Sequence, residues 1–201
     1  KGKTGPEAAP FPYPNPADNP GVSLLSAPGG ILSSANEMAR YVNAQIEQGS
    51  FPGGRLARPE AFASMQALQI QNGEGHFGKA GYGYGLGSVP GFLGHKLVAH
   101  GGSISVSTAH LAFIPDLRLG VVMMGNGPGM AYGRIAESVF ALMMGLDPDE
   151  VLAGEPSLPD QRALREGGQG LHLRQGDRPQ EPSAGLEVHY HEAGVLALRV
   201  G

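Results

Sequence analysis

The chain contains no cysteine, which excludes disulfides, thiolate-held metals and a cysteine nucleophile. No apolar run approaches the roughly 18 residues that a membrane-spanning helix needs, so no membrane span is expected. No signal peptide opens the chain, and its first residues read like the interior of a longer polypeptide. Charge is sparse: 14 Lys and Arg stand against 18 Asp and Glu, for a formal net charge of −4. Such a balance offers no basic surface for nucleic acid or an anionic membrane. The glycine-rich run 81–87 lacks both the G-x-G-x-x-G spacing and a Lys-Ser/Thr pair, so it is not a phosphate loop.

What the chain does have is glycine and proline, 33 and 17 residues respectively. They concentrate at the start, in the tail and near Gly81, a distribution that fits long loops around a compact centre. With 201 residues, 41% of them apolar, one domain with a real core is expected.

Prolines at positions 6, 10, 12, 14, 16 and 20 fix φ and remove backbone donors, so residues 1–21 read as an extended surface loop. Ser26-Ala27-Pro28-Gly29-Gly30 then approaches a helix. Ser34 and Glu37 have capping-box spacing, Met38, Tyr41, Val42 and Ile46 form a stripe at helical spacing, and Gly49 supplies the stop. A second helix opens with Pro59 in its first turn, places Phe62, Met65 and Leu68 on one side, and is expected to end near Asn72-Gly73. Residues 81–87 alternate large side chains with glycine, the pattern of a strand with one bare face against which another element packs closely.

Leu97 to Asn126 organises the rest. An apolar run, Leu97-Val98-Ala99, stops at His100-Gly101-Gly102-Ser103. An alternating run follows, with Thr108, His110, Ala112 and Ile114 on one face and Ala109, Leu111 and Phe113 on the other. Pro115-Asp116-Leu117-Arg118 is turn material, and Leu119 to Met124 is apolar on both faces, like a central strand. Three consecutive strands result, the first ending in a glycine-bared segment built for close approach. A Gly-Pro-Gly loop then leads to a helix over about residues 131–145, with Ile135, Val139, Leu142 and Met143 as its stripe. Residues 147–184 have linker composition, and Leu186 to Val200 alternates around Ala193-Gly194 as a hairpin. A lone hairpin is marginally stable, so it either docks on the body or belongs to a further small β domain. His189 and His191 share one face of it, but no third metal ligand accompanies them, and solvent-facing strand residues are the simpler reading.

These residues resemble the serine β-lactamase-like hydrolases, the family that includes penicillin-binding proteins, D-peptidases and related esterases, and most of all its class C branch. Ser26-Ala27-Pro28-Gly29-Gly30 with the capped helix looks like the family's Pro-Ala-Gly-Gly segment. Tyr82-Gly83-Tyr84-Gly85-Leu86-Gly87 looks like the strand before its third catalytic motif. His100-Gly101-Gly102-Ser103, followed by Leu111-Ala112-Phe113-Ile114-Pro115-Asp116 and Leu119-Gly120-Val121-Val122-Met123, looks like that motif and its hairpin. The resemblance spans roughly residues 22 to 145. It implies an α+β fold, an antiparallel sheet flanked by helices, with residues 1–146 forming the C-terminal part of the domain; composition and alternation add the linker over 147–184 and the β extension over 185–201.

By the same resemblance, a serine attacks an acyl carbonyl, aided by a lysine one helical turn later and by the tyrosine of a Tyr-x-Asn motif. His100 would open the motif on the opposite wall, Gly101 and Gly102 would let the acyl group lie against the strand, and the Ser103 N–H would supply half of an oxyanion hole. Arg134 falls where some relatives hold a substrate carboxylate. His-x-Gly in place of Lys-Thr-Gly leans toward peptidase or esterase chemistry, and neither cofactor nor metal is implied. Yet no Ser-x-x-Lys occurs in the chain. Tyr41-Val42-Asn43 lies inside the first helix, and Lys3-Thr4-Gly5 is followed by prolines, so both read as coincidence. The expectation is a C-terminal half whose nucleophile comes from an N-terminal segment or a companion chain, acting on an amide, lactam, ester or peptide. The alternative is a non-catalytic remnant that binds a ligand or partner through the same groove. In either case strand Leu119–Met124 would expose an apolar edge unless a strand of the other half, a second chain or another copy covered it.

Overall fold

The computed structural model describes residues 29–75, 77–104, 107–127, 130–153, 186–191 and 195–200. The proline-rich stretch 1–21, residues 154–184 and the side chains of His189 and His191 lie outside the described residues.

Helix α1, Ala35–Ile46, starts where the capping box places it. Glu37 N–H donates to Ser34 Oγ at 3.3 Å and Ser34 N–H to Glu37 Oε2 at 3.2 Å, so both halves of the box are closed. The Ser34 N–H first, then the Ser33 and Ser34 hydroxyls, hold the Glu37 carboxyl below the usual carboxylate range. The helix buries Ala39, Val42, Ala44, Gln45 and Ile46, while Met38 and Tyr41 of the expected stripe are partly buried beside them. Gln48 and Gly49 both adopt positive φ and end it. A short β1–β2 pair, Ser50–Phe51 with Gly54–Arg55, leads to α2, Pro59–Gln66.

Helix α2 is shorter than its pattern implies, and residues beyond it form strand β3, Ile70–Gly75. The cause is a competition for backbone partners. In a longer helix the Gln69 N–H would donate to the Met65 carbonyl. Instead the Met65 carbonyl accepts from Tyr84 N–H at 3.1 Å, and Gln69 N–H donates to the Tyr82 carbonyl at 2.9 Å. Glycine makes this approach feasible: a Cβ at Gly83 would lie 2.1 Å from the Met65 carbonyl oxygen, and one at Gly81 would lie 2.3 Å from that of Ile70. The glycine run therefore does admit a close neighbour, but it is not one strand. It comprises the end of β4, Gly78–Tyr82, a bend over 84–86, and the start of β5, Gly87–Phe92.

Strands β6, His95–Ile104, β7, Ser107–Ile114, and β8, Leu119–Gly125, follow in antiparallel succession. Leu93 and Gly94, both at positive φ, make the tight β5–β6 turn, and a 3-10 turn at Pro115–Leu117, closed by left-handed Arg118, joins β7 to β8. Arg118 pairs with Glu47 at the end of α1. Helices α3, Tyr132–Met143, and α4, Pro148–Ala153, complete the body, and the hairpin β9, Leu186–His191, with β10, Val195–Val200, joins the sheet. The order is β3-β4-β5-β6-β7-β8-β10-β9. The segment read as linker from residue 147 thus begins with a packed helix, whose Val151 is buried in the main core.

Two cores lie on the two faces of this sheet. Val98, Leu111, Phe113 and Val122 pack with Ala39, Val42 and Ile46 of α1. Leu97, Ala112, Ile114, Val121 and Met123 pack with Ala136, Phe140 and Ala141 of α3. The alternation read on β7 is the observed one. On α3 the contact is centred on Ala136, Phe140 and Ala141, with Ile135, Val139 and Met143 at its margin and Leu142 exposed. Small residues let the helix axis approach the sheet, so the bulkier side chains flank the contact. The apolar edge of β8 is covered from within the chain: β10 pairs with it from Val195↔Met123 to Arg199↔Leu119. The second chain, second copy or other-half strand expected at that edge is therefore not needed there.

Gly83→Ala, facing a carbonyl it cannot displace, should lower stability by several kcal/mol in denaturant unfolding, on the order of 3, whereas Gly91→Ala, with nothing within 4 Å, should change it little. Glu37 has a depressed folded pKa, so its contribution is present above the ordinary carboxylate pKa and is lost as pH falls through the lowered folded value. Glu37→Gln, which keeps an acceptor at the cap, should flatten that acid limb in a Tm-against-pH series.

Candidate active-site wall

The β5–β6 ladder ends at Gly87↔Ala99, but β6 continues to Ile104 and pairs with β7 as far as Ile104↔Ser107. Residues 100–104 are therefore paired on one side only. In an antiparallel strand alternate residues direct N–H and C=O away from a given neighbour, so this segment offers backbone donors and acceptors along an open edge. Gly101, Gly102 and Ser103 are exposed, and His100 is half-buried. Among the described residues, the expected site residues His100 to Ser103 are thus contiguous on a stretch of β6 that is paired on one side only.

Strand alternation puts His100 on the face of Val98, the α1 face, together with Gly102 and Lys96. The His100 and Tyr82 rings form a T-shaped pair, with centroids 6.0 Å apart and planes at 62°. Lys96 Nζ lies 3.5 Å from the Gln66 carbonyl, and burial pushes its ammonium pKa down while Asp116 pushes it back up. At the other end of β6, buried His95 bonds to the Asp116 carboxylate through Nδ1, far along the strand from the glycine segment.

The two glycines differ. A Cβ at Gly102 would meet nothing within 4 Å, so the space over the His100 face is open. A Cβ at Gly101 would point to the other face and lie 2.9 Å from His110 Nδ1 and 3.5 Å from the Ala109 carbonyl. His110, opposite Gly101 in the ladder, stacks on Tyr132 with centroids 5.1 Å apart and planes 9° apart. Phe77 lies beside it at 6.3 Å. Periodicity places His110 on its face, but only the strand register sets it against Gly101. Thr108 Oγ1 donates to the Gly127 carbonyl at 2.9 Å and ties the β8–α3 connection to the same end of the sheet.

Arg134 is exposed in the first turn of α3, two residues past Tyr132, at that end of the sheet. Tyr41 lies inside α1, where its hydroxyl accepts from Gln45 Nε2 at 2.9 Å, so Tyr41-Val42-Asn43 is part of a packed helix. Among the described residues, no three His, Asp or Glu side chains converge as a metal site, and no helix is long and apolar enough to cross a membrane.

A sequence model of the family described as Beta-lactamase matches residues 1–141. Among solved structures, the chain is similar to the octameric penicillin-binding protein homologue from Pyrococcus abyssi, at 34% identity and a TM-score of 0.53. The likeness covers 59% of this chain and 26% of that protein, so this chain spans about a quarter of its relative's length. No curated protein matches the chain.

Gly102→Ala should leave the Tm nearly unchanged, and Gly101→Ala should lower it clearly, both read by thermal unfolding of the 201-residue chain.

Proposed function

The chain belongs to the β-lactamase family, and on that premise we propose that it forms one wall of the active site of a serine hydrolase working through an acyl-enzyme. The observation that carries this reading is the one-sided pairing of residues 100–104, which leaves an exposed glycine-bared strand edge beside His100. An extended acyl substrate can add along such an edge through main-chain hydrogen bonds, as peptides add to open sheet edges elsewhere. Gly102 leaves the room that the acyl group needs.

The nucleophile is supplied by a segment N-terminal to this sequence or by a companion chain, because the sequence holds no Ser-x-x-Lys. Its Oγ attacks the carbonyl carbon while a base takes the hydroxyl proton, and negative charge develops on the carbonyl oxygen. The Ser103 N–H serves as one donor to that oxyanion, a contribution of about 10²–10³ in rate for a single donor. Collapse expels the amine or alcohol, which receives the proton, and water then releases the acid by the reverse sequence. His100 works beside the nucleophile within the polar network, and Arg134 holds a substrate carboxylate. Substrates are amides, lactams, esters or peptides, with His-x-Gly favouring peptidase or esterase chemistry. The octameric state of the Pyrococcus abyssi relative supports reading this chain as part of an assembly. The absence of Ser-x-x-Lys also favours a second reading, a non-catalytic remnant that binds a ligand in the same groove.

Native material labelled with a fluorescent fluorophosphonate or penicillin and run on a denaturing gel separates the two. A labelled polypeptide carrying the nucleophile is the expected result, with labelling lost in Gly102→Val, whose side chain projects into the open face, in variant protein whose Tm matches the parent's. Folded protein that takes no label would remove the hydrolase reading and leave the binding module.

A further inference from the structure

Glycine at position 101 has two physical explanations. It is bare either because a substrate must approach it or because something within the protein occupies its side-chain direction. The geometry favours the second. The Cβ direction of Gly101 leads away from the open space over Gly102 and toward His110, whose Nδ1 would lie 2.9 Å from the added atom. A contact that short is relieved easily only if the neighbour is the loose end of a flexible side chain. His110 is not loose: its ring lies flat on Tyr132, at 5.1 Å and 9°, next to Phe77 at 6.3 Å. Tyr132 in turn opens α3, whose Ala136, Phe140 and Ala141 are buried against the sheet.

We propose that His110 is a positioning residue: its ring, seated on Tyr132, backs Gly101 and fixes the height of the Gly101–Ser103 backbone that meets the acyl group. The proposal rests on the hydrolase reading above and adds to it a residue on the opposite face of the sheet from the substrate. The segment it backs is paired on one side only, so nothing from β5 holds it in plane, and a packed ring from behind supplies that restraint. Displacement of reacting groups by about 1 Å can cost on the order of 10²-fold in rate, so support of this kind acts on the chemical step more than on binding.

The test uses the protein together with the segment that bears its nucleophile, and follows fluorophosphonate acylation to saturation so that the binding constant and the limiting rate separate. His110→Ala should lower the limiting rate about tenfold or more with little change in the saturation constant, and His110→Phe, which keeps a flat ring on Tyr132, should restore most of it. Gly101→Ala should be impaired alone and recover when combined with His110→Ala, a coupling readable in both the acylation rate and the Tm. If His110→Ala melts below the assay temperature, His110→Leu, which fills volume without a planar ring, takes its place with the same expected loss. Acylation of His110→Ala at the parent rate would overturn the proposal and leave the hydrolase reading standing. A double variant no better than Gly101→Ala would overturn it too, since Gly101 would then be bare for the ligand. A parent protein that takes no label at all would sink both.

Discussion

Phe113 and Ile114 are neighbours on β7, both fully excluded from water, yet alternation sends them to opposite faces. That constraint organises the body. A strand buried in both directions needs cover on both sides, and α1 supplies one layer while α3 and α4 supply the other. Each helix is then held in register with the strands it covers, and the β8–α3 connection brings Tyr132 to the end of the sheet where β6 leaves its β5 partner. The exposed segment Gly101–Ser103 is braced on one side by β7, which pairs with it from Gly101↔His110 to Ser103↔Thr108.

Much of this was legible in the chain. Ser34 with Glu37 marks a helix start whose two hydrogen bonds are local, so these two residues suffice to specify them. The alternation of residues 108–114 reports burial directly, and it predicts both cores. The family of the fold was legible as well, because its motifs are backbone demands expressed as glycine, proline and short polar runs. What escaped depended on partners distant in sequence. The end of α2 is decided by Tyr82 and Tyr84, which take over the backbone groups that would have continued the helix. The stripe on α3 misleads because hydrophobicity favours Ile135 and Leu142, whereas close packing favours Ala136 and Ala141.

The glycines at 101 and 102 illustrate the same limit at the site. In sequence they are equivalent, two residues without side chains after a histidine. In the fold they face opposite directions, one toward open space and one toward the His110 ring. Only the β6–β7 register separates them, and register is a property of two strands together. The polar tie between α1 and α2 is similar: Gln66 Nε2 donates to the backbone and side-chain oxygens of Gln45 at 2.9 and 3.1 Å, and both glutamines are buried, a placement that no periodicity discloses.

The strand β10 on the edge of β8 changes how that edge is reached by anything else. A strand arriving there must replace β10, losing one ladder as it gains another, so hydrogen bonding is nearly conserved and the outcome turns on concentration. Because β10 is covalently joined to the body, it competes at an effective concentration on the order of millimolar. A separate polypeptide present at micromolar levels starts about a thousandfold behind, while a segment of the same polypeptide starts level. Edge exchange at β8 is thus an event between parts of one chain far more readily than between two.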